Sequence, residues 1–375
     1  MAILACLMED IMKRVLQIPT GLYGTGEQQI SKDIGIYRDP EQFDVQYAVF
    51  SEQVERYENE LLRAGCTVIH CPVSGKRPLY YFKQYRALDK LMRENRCDVV
   101  HSHTMFQSGI AMLAAKKAGV PVRITHSHNA GKHRRRFSGF YDWIMQRLIL
   151  SSATELLACG TAAGRFLFGE KEFERRGKLI LNGVPTERFR FSPTDRDRIR
   201  QSLNLGDKYV IGNVARLSKS KHQDYLIDLL PELLLKRPDA VLLLIGDGTD
   251  RESLQLRAQR LGLSEKVLFL GWVDLPQAYY SAMDVFALPS LFEGMPLTLM
   301  EAQANGLPCV ISENVPKDAI QTDLIRAVPL ADTQAWISAI CDTRRNGPER
   351  YADLLRSLGF SNDSYLKKIY ACYGD

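Results

Sequence analysis

Val241-Leu-Leu-Leu-Ile-Gly-Asp-Gly-Thr-Asp-Arg-Glu-Ser-Leu-Gln-Leu-Arg-Ala-Gln-Arg-Leu-Gly-Leu-Ser-Glu-Lys-Val-Leu-Phe-Leu270 reads as strand, turn, helix and strand in one stretch. The apolar run Val241–Ile245 does not alternate with polar residues, which marks a strand buried on both faces. A glycine-rich break follows, then the helical pattern Asp250–Leu261 and the second strand Val267–Leu270. Strand, crossover helix, strand is the parallel β-α-β unit.

The alternation continues in both directions. Upstream, Val15–Ile18, Phe43–Val49, Thr67–His70, Val99–His101 and Val122–Thr125 read as short buried strands, with helices at Gln53–Ala64, Tyr80–Glu94 and Ala111–Ala118. A turn at Asn182-Gly-Val-Pro185 ends this first series, and the charged segment Ser192–Gln201 leads into a second. Its remaining strands are Tyr209–Val214, Val285–Leu288 and Pro308–Ile311, with helices at Gln223–Lys236, Pro276–Ala282 and Thr298–Asn305. The expected fold is therefore α/β, with two Rossmann-like, doubly wound parallel sheets facing across a cleft. The expected boundaries are residues 12–190 and 191–360, followed by a terminal helix within 361–375 that packs toward the first domain. Residues 1–11 read either as the start of the domain or, more simply, as a disordered extension before Met12-Lys13-Arg14.

The composition fits this reading. The chain has 375 residues, 45% hydrophobic and 25% charged, enough for two domains of ordinary size. A net charge of +5 suits anionic small ligands better than a nucleic-acid tract. Eight cysteines without a CxxC pair read as reduced thiols of a cytoplasmic protein. No apolar run approaches the ~18 residues of a membrane span, and the apolar start lacks the features of a signal peptide.

Four places carry chemistry. In Phe292-Glu-Gly-Met-Pro-Leu-Thr-Leu-Met-Glu-Ala302, two glutamates flank a turn that opens an apolar helix. The free N–H groups at Leu297 and Thr298 suit phosphate oxygens. Glu301, among apolar neighbours, needs hydrogen-bond donors, which ribose hydroxyls would supply, although a helix with one solvated glutamate reads the same residues. In Gly212-Asn-Val-Ala-Arg-Leu-Ser-Lys-Ser-Lys221, Arg216 and Lys221 end a strand and enter a helix, as a phosphate clamp or as a solvated basic loop.

The loop Gly21-Leu-Tyr-Gly-Thr-Gly-Glu27 lets a ligand approach the backbone, but it is not GxGxxG, and no acidic residue ends the second strand, so a dehydrogenase is disfavoured. Histidines end two strands, His101-Ser-His103 and Thr125-His-Ser-His-Asn129. Without a cysteine or carboxylate at ligand spacing they do not read as a metal site.

Together, the spacing of Glu293 and Glu301, the Arg216/Lys221 loop, Leu244-Ile-Gly-Asp-Gly248, Val267-Leu-Phe-Leu-Gly-Trp-Val273 and Asn182-Gly-Val184 resemble family-4 retaining glycosyltransferases of the GT-B fold. The two His-Ser-His runs and Ala158-Cys-Gly160 look like the branch that builds bacterial exopolysaccharides and capsules. The resemblance runs from Arg14 to near the end of the chain.

It implies that Glu301 holds ribose and that Glu293 contacts the transferred sugar. Arg216 and Lys221 would hold the diphosphate, with Met295, Leu297 and Thr298 at the helix start. Val273 would meet the base, His128 would lie beside the sugar, and the Gly24–Gly26 loop would approach diphosphate and acceptor. Thr25 separates Gly24 from Gly26 where the family has adjacent glycines. The implied enzyme is a metal-independent glycosyltransferase with no cofactor. It would use a nucleotide-diphosphate sugar, with UDP expected, and a saccharide or lipid-linked acceptor. A sugar-nucleotide epimerase and a non-catalytic sugar-nucleotide-binding subunit are the alternatives. The run Lys132-His-Arg-Arg-Arg136 before the aromatic stretch Phe137–Leu150 reads in three ways: a dock for anionic membrane, a contact for the acceptor's diphosphate, or a solvated loop.

Overall fold

A computed structural model describes residues 12–76, 78–129 and 139–374; the expected extension 1–11 and the basic run Lys132–Arg136 lie outside them. The chain divides into two compact units, Met1–Leu181 with Leu366–Asp375, and Asn182–Tyr365.

The first unit is built on seven parallel strands: β1 (Lys13–Ile18), β2 (Phe43–Val49), β3 (Thr67–His70), β4 (Val99–Ser102), β5 (Val122–Ser127), β6 (Glu155–Ala158) and β7 (Gly177–Leu179), in the order β3-β2-β1-β4-β5-β6-β7. The second unit has six: β8 (Tyr209–Val214), β9 (Ala240–Ile245), β10 (Val267–Gly271), β11 (Val285–Leu288), β12 (Cys309–Ser312) and β13 (Ile325–Val328), in the order β10-β9-β8-β11-β12-β13. Both are doubly wound, and the direction of winding reverses between β1 and β4 and between β8 and β11. Ligands of such sheets bind beyond the carboxyl ends of the strands at these reversals.

Every residue of β9 is buried, as the unbroken apolar run requires. Its Leu242 and Leu244 join Leu226, Ile227, Leu230 and Trp336 in the second core, while Leu16, Ile18, Val100 and Ile149 centre the first. Cys66, Cys97, Cys159 and Cys309 are buried.

One expectation needs correction, and a helix and three strands were not read from the sequence. The helix placed at Gln53–Ala64 is confined to Glu58–Arg63. The residues before it are spent elsewhere: the Glu55 carboxylate accepts the Leu22 N–H, and the Glu55 N–H bonds Glu58 Oε2 at 3.2 Å. The charged segment after Ser192 is itself a helix, Pro193–Ser202, with Pro193 in its first turn and Ser192 Oγ capping the Asp195 N–H at 3.1 Å. Strands β6 (Glu155–Ala158), β7 (Gly177–Leu179) and β13 (Ile325–Val328) went unread.

The terminal helix spans Asn362–Ala371, and its end belongs to the first unit. Tyr370 stacks on Phe43 with centroids 5.0 Å apart and donates its hydroxyl to the Ile34 carbonyl at 2.7 Å.

Candidate active site

In the second unit, the loops after β8 and β11 carry most of the expected residues. Leu217 N–H bonds the Asp247 carbonyl at 3.0 Å, and Ala215 N–H bonds Ile245 at 3.0 Å, so the loops after β8 and β9 run side by side. A Cβ on Gly246 would sit 2.0 Å from the Ala215 carbonyl oxygen, which leaves only glycine there. Leu291 N–H then ties the loop after β11 to the Ser220 carbonyl at 2.9 Å.

Arg216 is exposed, and its backbone carbonyl is held by Gln223 Nε2 at 3.1 Å. Lys221 and Glu293 meet each other: Nζ and Oε1 are 2.6 Å apart, and Ser290 Oγ donates to the same oxygen at 2.6 Å. The Glu293 side chain is 8% exposed, so its charge is largely screened from water and compensated by Lys221. The sequence reading gave these two groups separate ligands; the structure pairs them.

Glu301 lies on the helix Leu297–Ala304, preceded by Pro296 without a side-chain cap, so the first-turn N–H groups have no capping side chain. Met295 and Leu297 are buried, Thr298 is partly buried, and Val273 is partly buried just after β10. Glu301 is 4% exposed, and its Oε2 accepts the Tyr280 hydroxyl at 2.6 Å. Burial first, and the Glu301 charge second, push the Tyr280 hydroxyl well above its ordinary pKa, so it remains a donor.

Arg345 braces this arrangement. Its guanidinium donates to the carbonyls of Tyr280 (3.0 Å), Met283 (3.0 Å) and Asn305 (2.9 Å), and burial lowers its pKa to about 9. Tyr280 and Arg345 were not legible as site residues. The sole hint was that a buried Glu301 needed a donor, and 21 and 44 residues separate it from these two.

In the first unit, β4 and β5 place His101, His103, His126 and His128 on one face, because alternate residues of a strand point the same way. All four are buried. Desolvation, reinforced for the first three by neighbouring rings, drives their pKa values well down; His128 is held at about 3 by burial alone. All are neutral imidazoles at ordinary pH.

His101, His103 and His126 each offer a ring nitrogen within 4.8 Å of the others. Tetrahedral zinc would hold its nitrogens about 3.3 Å apart, given bonds of about 2.0–2.1 Å. Both His103 nitrogens are engaged, by His128 at 2.8 Å and Gln17 at 2.9 Å. The His101 and His126 rings stack with planes 8° apart, so their in-plane lone pairs run alongside one another rather than converging. These rings would have to turn before they could ligate a metal.

The loop after β1 is closed by a side chain. The N–H groups of Tyr23, Gly24 and Thr25 all donate to Gln28 Oε1, at 2.8, 2.9 and 3.1 Å. Gly26 begins the helix Gly26–Ile36. The N–H groups of Tyr23, Gly24 and Thr25 are thus folded onto a side chain. Glu27 next to them has its pKa raised to about 7 by burial, against the opposing bonds from the Thr20 hydroxyl and N–H.

Residues 195–323 match the family described as "Glycosyl transferases group 1", and residues 40–183 match a "Glycosyl transferase 4-like domain". EpsF of Bacillus subtilis, named as a glycosyltransferase, is 32% identical over 381 residues, covering 98% of this chain and 97% of its own. The chain is a group 1 glycosyltransferase. The UDP-Gal:alpha-D-GlcNAc-diphosphoundecaprenol alpha-1,3-galactosyltransferase of Escherichia coli is 30% identical over 240 residues, 61% of each chain. Among solved structures, Anabaena HepE in complex with UDP superimposes with a TM-score of 0.79 at 20% identity, covering 96% of this chain and 99% of that one. The transferase therefore has the GT-B fold, with its two Rossmann-like units.

Proposed function

We propose that this transferase moves a sugar from a UDP-sugar to a lipid-linked or saccharide acceptor, with retention of configuration and without a metal, in exopolysaccharide or capsule assembly. The observation that carries the reading is the 2.6 Å pairing of Lys221 with Glu293 where the winding of the second sheet reverses, eight residues before the buried Glu301. In this reading Glu301 holds the ribose hydroxyls, Val273 meets the base, and Glu293 positions the sugar. Arg216, Lys221 and the N–H groups of Leu297 and Thr298 stabilise the charge that builds on the departing diphosphate. One preorganised donor of this kind is worth about 3–4 kcal/mol of barrier. UDP in the HepE structure and a diphosphoundecaprenol acceptor in the name of the Escherichia coli relative support the choice of donor and acceptor class. The relatives named above are transferases and lend no support to the epimerase or the non-catalytic subunit.

A thermal-shift panel of nucleotide sugars tests the donor. A UDP-sugar at 100 times its dissociation constant adds about 2.7 kcal/mol of stability. GDP- and ADP-sugars stabilising the protein while UDP-sugars do not would reject UDP.

The acceptor side of the reading places the protein on the inner face of the cell membrane. Among the described residues no helix is long and apolar enough to cross a bilayer. The helix Gly139–Ser152 carries Phe140 and Trp143, 73% and 53% exposed and stacked, with Arg147 over the Trp143 ring at 5.6 Å. Exposed aromatics flanked by cations suit an anionic interface. Binding to phosphatidylglycerol vesicles should fall when Phe140 and Trp143 become serine, and fall with added salt. No binding at low ionic strength would remove the membrane from the reading.

A further inference from the structure

His128 ends an unbroken run of hydrogen bonds inside the first unit. Its Nε2 meets His103 Nδ1 at 2.8 Å, and His103 Nε2 meets Gln17 Oε1 at 2.9 Å. Gln17 Nε2 donates to the Tyr373 hydroxyl oxygen at 2.7 Å, and that hydroxyl meets His101 Nδ1 at 2.9 Å. All five side chains are buried, none more than 6% exposed. The imidazoles are uncharged, so each ring has one donor nitrogen and one acceptor nitrogen.

The amide has fixed donor and acceptor ends, so it dictates the direction of the whole run. Its carbonyl oxygen can only accept, hence His103 carries its proton on Nε2 and leaves Nδ1 bare. His128 must then donate from Nε2. At the other end, the Tyr373 oxygen accepts from the amide, so its own proton goes to His101 Nδ1, and His101 keeps a proton on Nε2. Turning the amide over reverses every bond and moves all three protons to Nδ1, so no ring changes alone.

We infer that Gln17, anchored by Tyr373, is a positioning residue that sets the tautomers of His101, His103 and His128 as one unit, with all three protonated at Nε2. The histidine wall is thereby fixed as well as uncharged: His128 spends its proton on His103 instead of carrying a charge that would oppose the positive charge developing on a transferred sugar. That consequence rests on the transfer reading above, whereas the tautomers do not.

Long-range proton–nitrogen correlation on the full-length protein labelled with nitrogen-15 histidine reads each ring directly. At pH 7, His101, His103 and His128 should each show the pattern of the neutral Nε2–H form. In Gln17→Met, His103 and His128 should lose that single pattern and show intermediate shifts at both nitrogens. If Gln17→Met does not fold, Tyr373→Phe keeps the ring packing and should move His101 out of the Nε2–H form. Any of the three rings protonated at Nδ1 in the unaltered protein overturns the inference. So does a folded Gln17→Met, or Tyr373→Phe in its place, whose ring shifts match those of the unaltered protein. Transfer activity enters neither readout, so failure here leaves the transferase mechanism standing, and the reverse also holds.

Discussion

Glu293 and Glu301 are eight residues apart in sequence yet live in different electrostatic surroundings. Glu293 shares one oxygen with Lys221 and Ser290, so it is a compensated charge at the mouth of a loop. Glu301 is buried on a helix and receives the Tyr280 hydroxyl. The two should therefore fail differently. Under the proposed function Glu301→Ala removes the acceptor for ribose, and it orphans a buried tyrosine, so UDP affinity should drop roughly 10- to 100-fold, the equivalent of a charged hydrogen bond of about 1.5–3 kcal/mol. Glu293→Ala should leave UDP affinity nearly intact while transfer falls at least about tenfold, the loss expected when a group acts mainly in the transition state. Calorimetry alongside initial rates separates the two, and equal losses of affinity in both variants would show that the carboxylates do not divide the work. At this scale the sequence exposed the acidic pair and the cations because the spacing within each of the two segments, Arg216 to Lys221 and Glu293 to Glu301, is local. It hid Tyr280, Arg345 and Gln17, whose roles arise from partners that only the fold brings together.

At the scale of elements, the loop after β1 shows how one helix start organises its neighbours. Gln28, in the first turn of the helix Gly26–Ile36, gathers three successive N–H groups, and its Nε2 bonds Thr20 Oγ1 at 3.2 Å. Glu27 beside it has a folded pKa of about 7 against an ordinary 4.5. A carboxyl raised in the folded state favours the protonated form, so its contribution to stability is full below pH 4.5 and is lost as pH rises through 7. Glu27→Gln keeps the acceptor oxygen and removes the charge. The variant should lose less stability than the unaltered protein between pH 5 and pH 8 in urea unfolding. His70, whose pKa is raised by its bond to Glu58, loses stability in the same direction in both proteins and cancels from the comparison. Parallel pH curves would mean that Glu27 is ionised and solvated. Glycines in the sequence marked this loop as special, but not that its donors turn onto Gln28, because a side-chain cap and a ligand site demand the same glycines.

At the scale of the whole chain, the doubly wound order of both sheets follows from alternating strands and helices, and that alternation was readable from long apolar runs such as Val241–Ile245. The last helix was expected to pack toward the first domain because no strand follows it, but the side chains that hold it were not readable. Its anchors are tyrosines bonding to Gln17 and Ile34, more than 300 positions away. The account's central claim is metal-free transfer with retention, in which Arg216, Lys221 and a helix start replace a cation at the diphosphate. Following the reaction of an α-linked UDP-sugar with a saccharide-diphospholipid acceptor by proton NMR in EDTA tests it most directly. The account predicts an α-linked product formed at the same rate with and without chelator, and strongly slowed in Arg216→Ala and Lys221→Ala. A β-linked product, or activity abolished by EDTA and restored by magnesium, would contradict it.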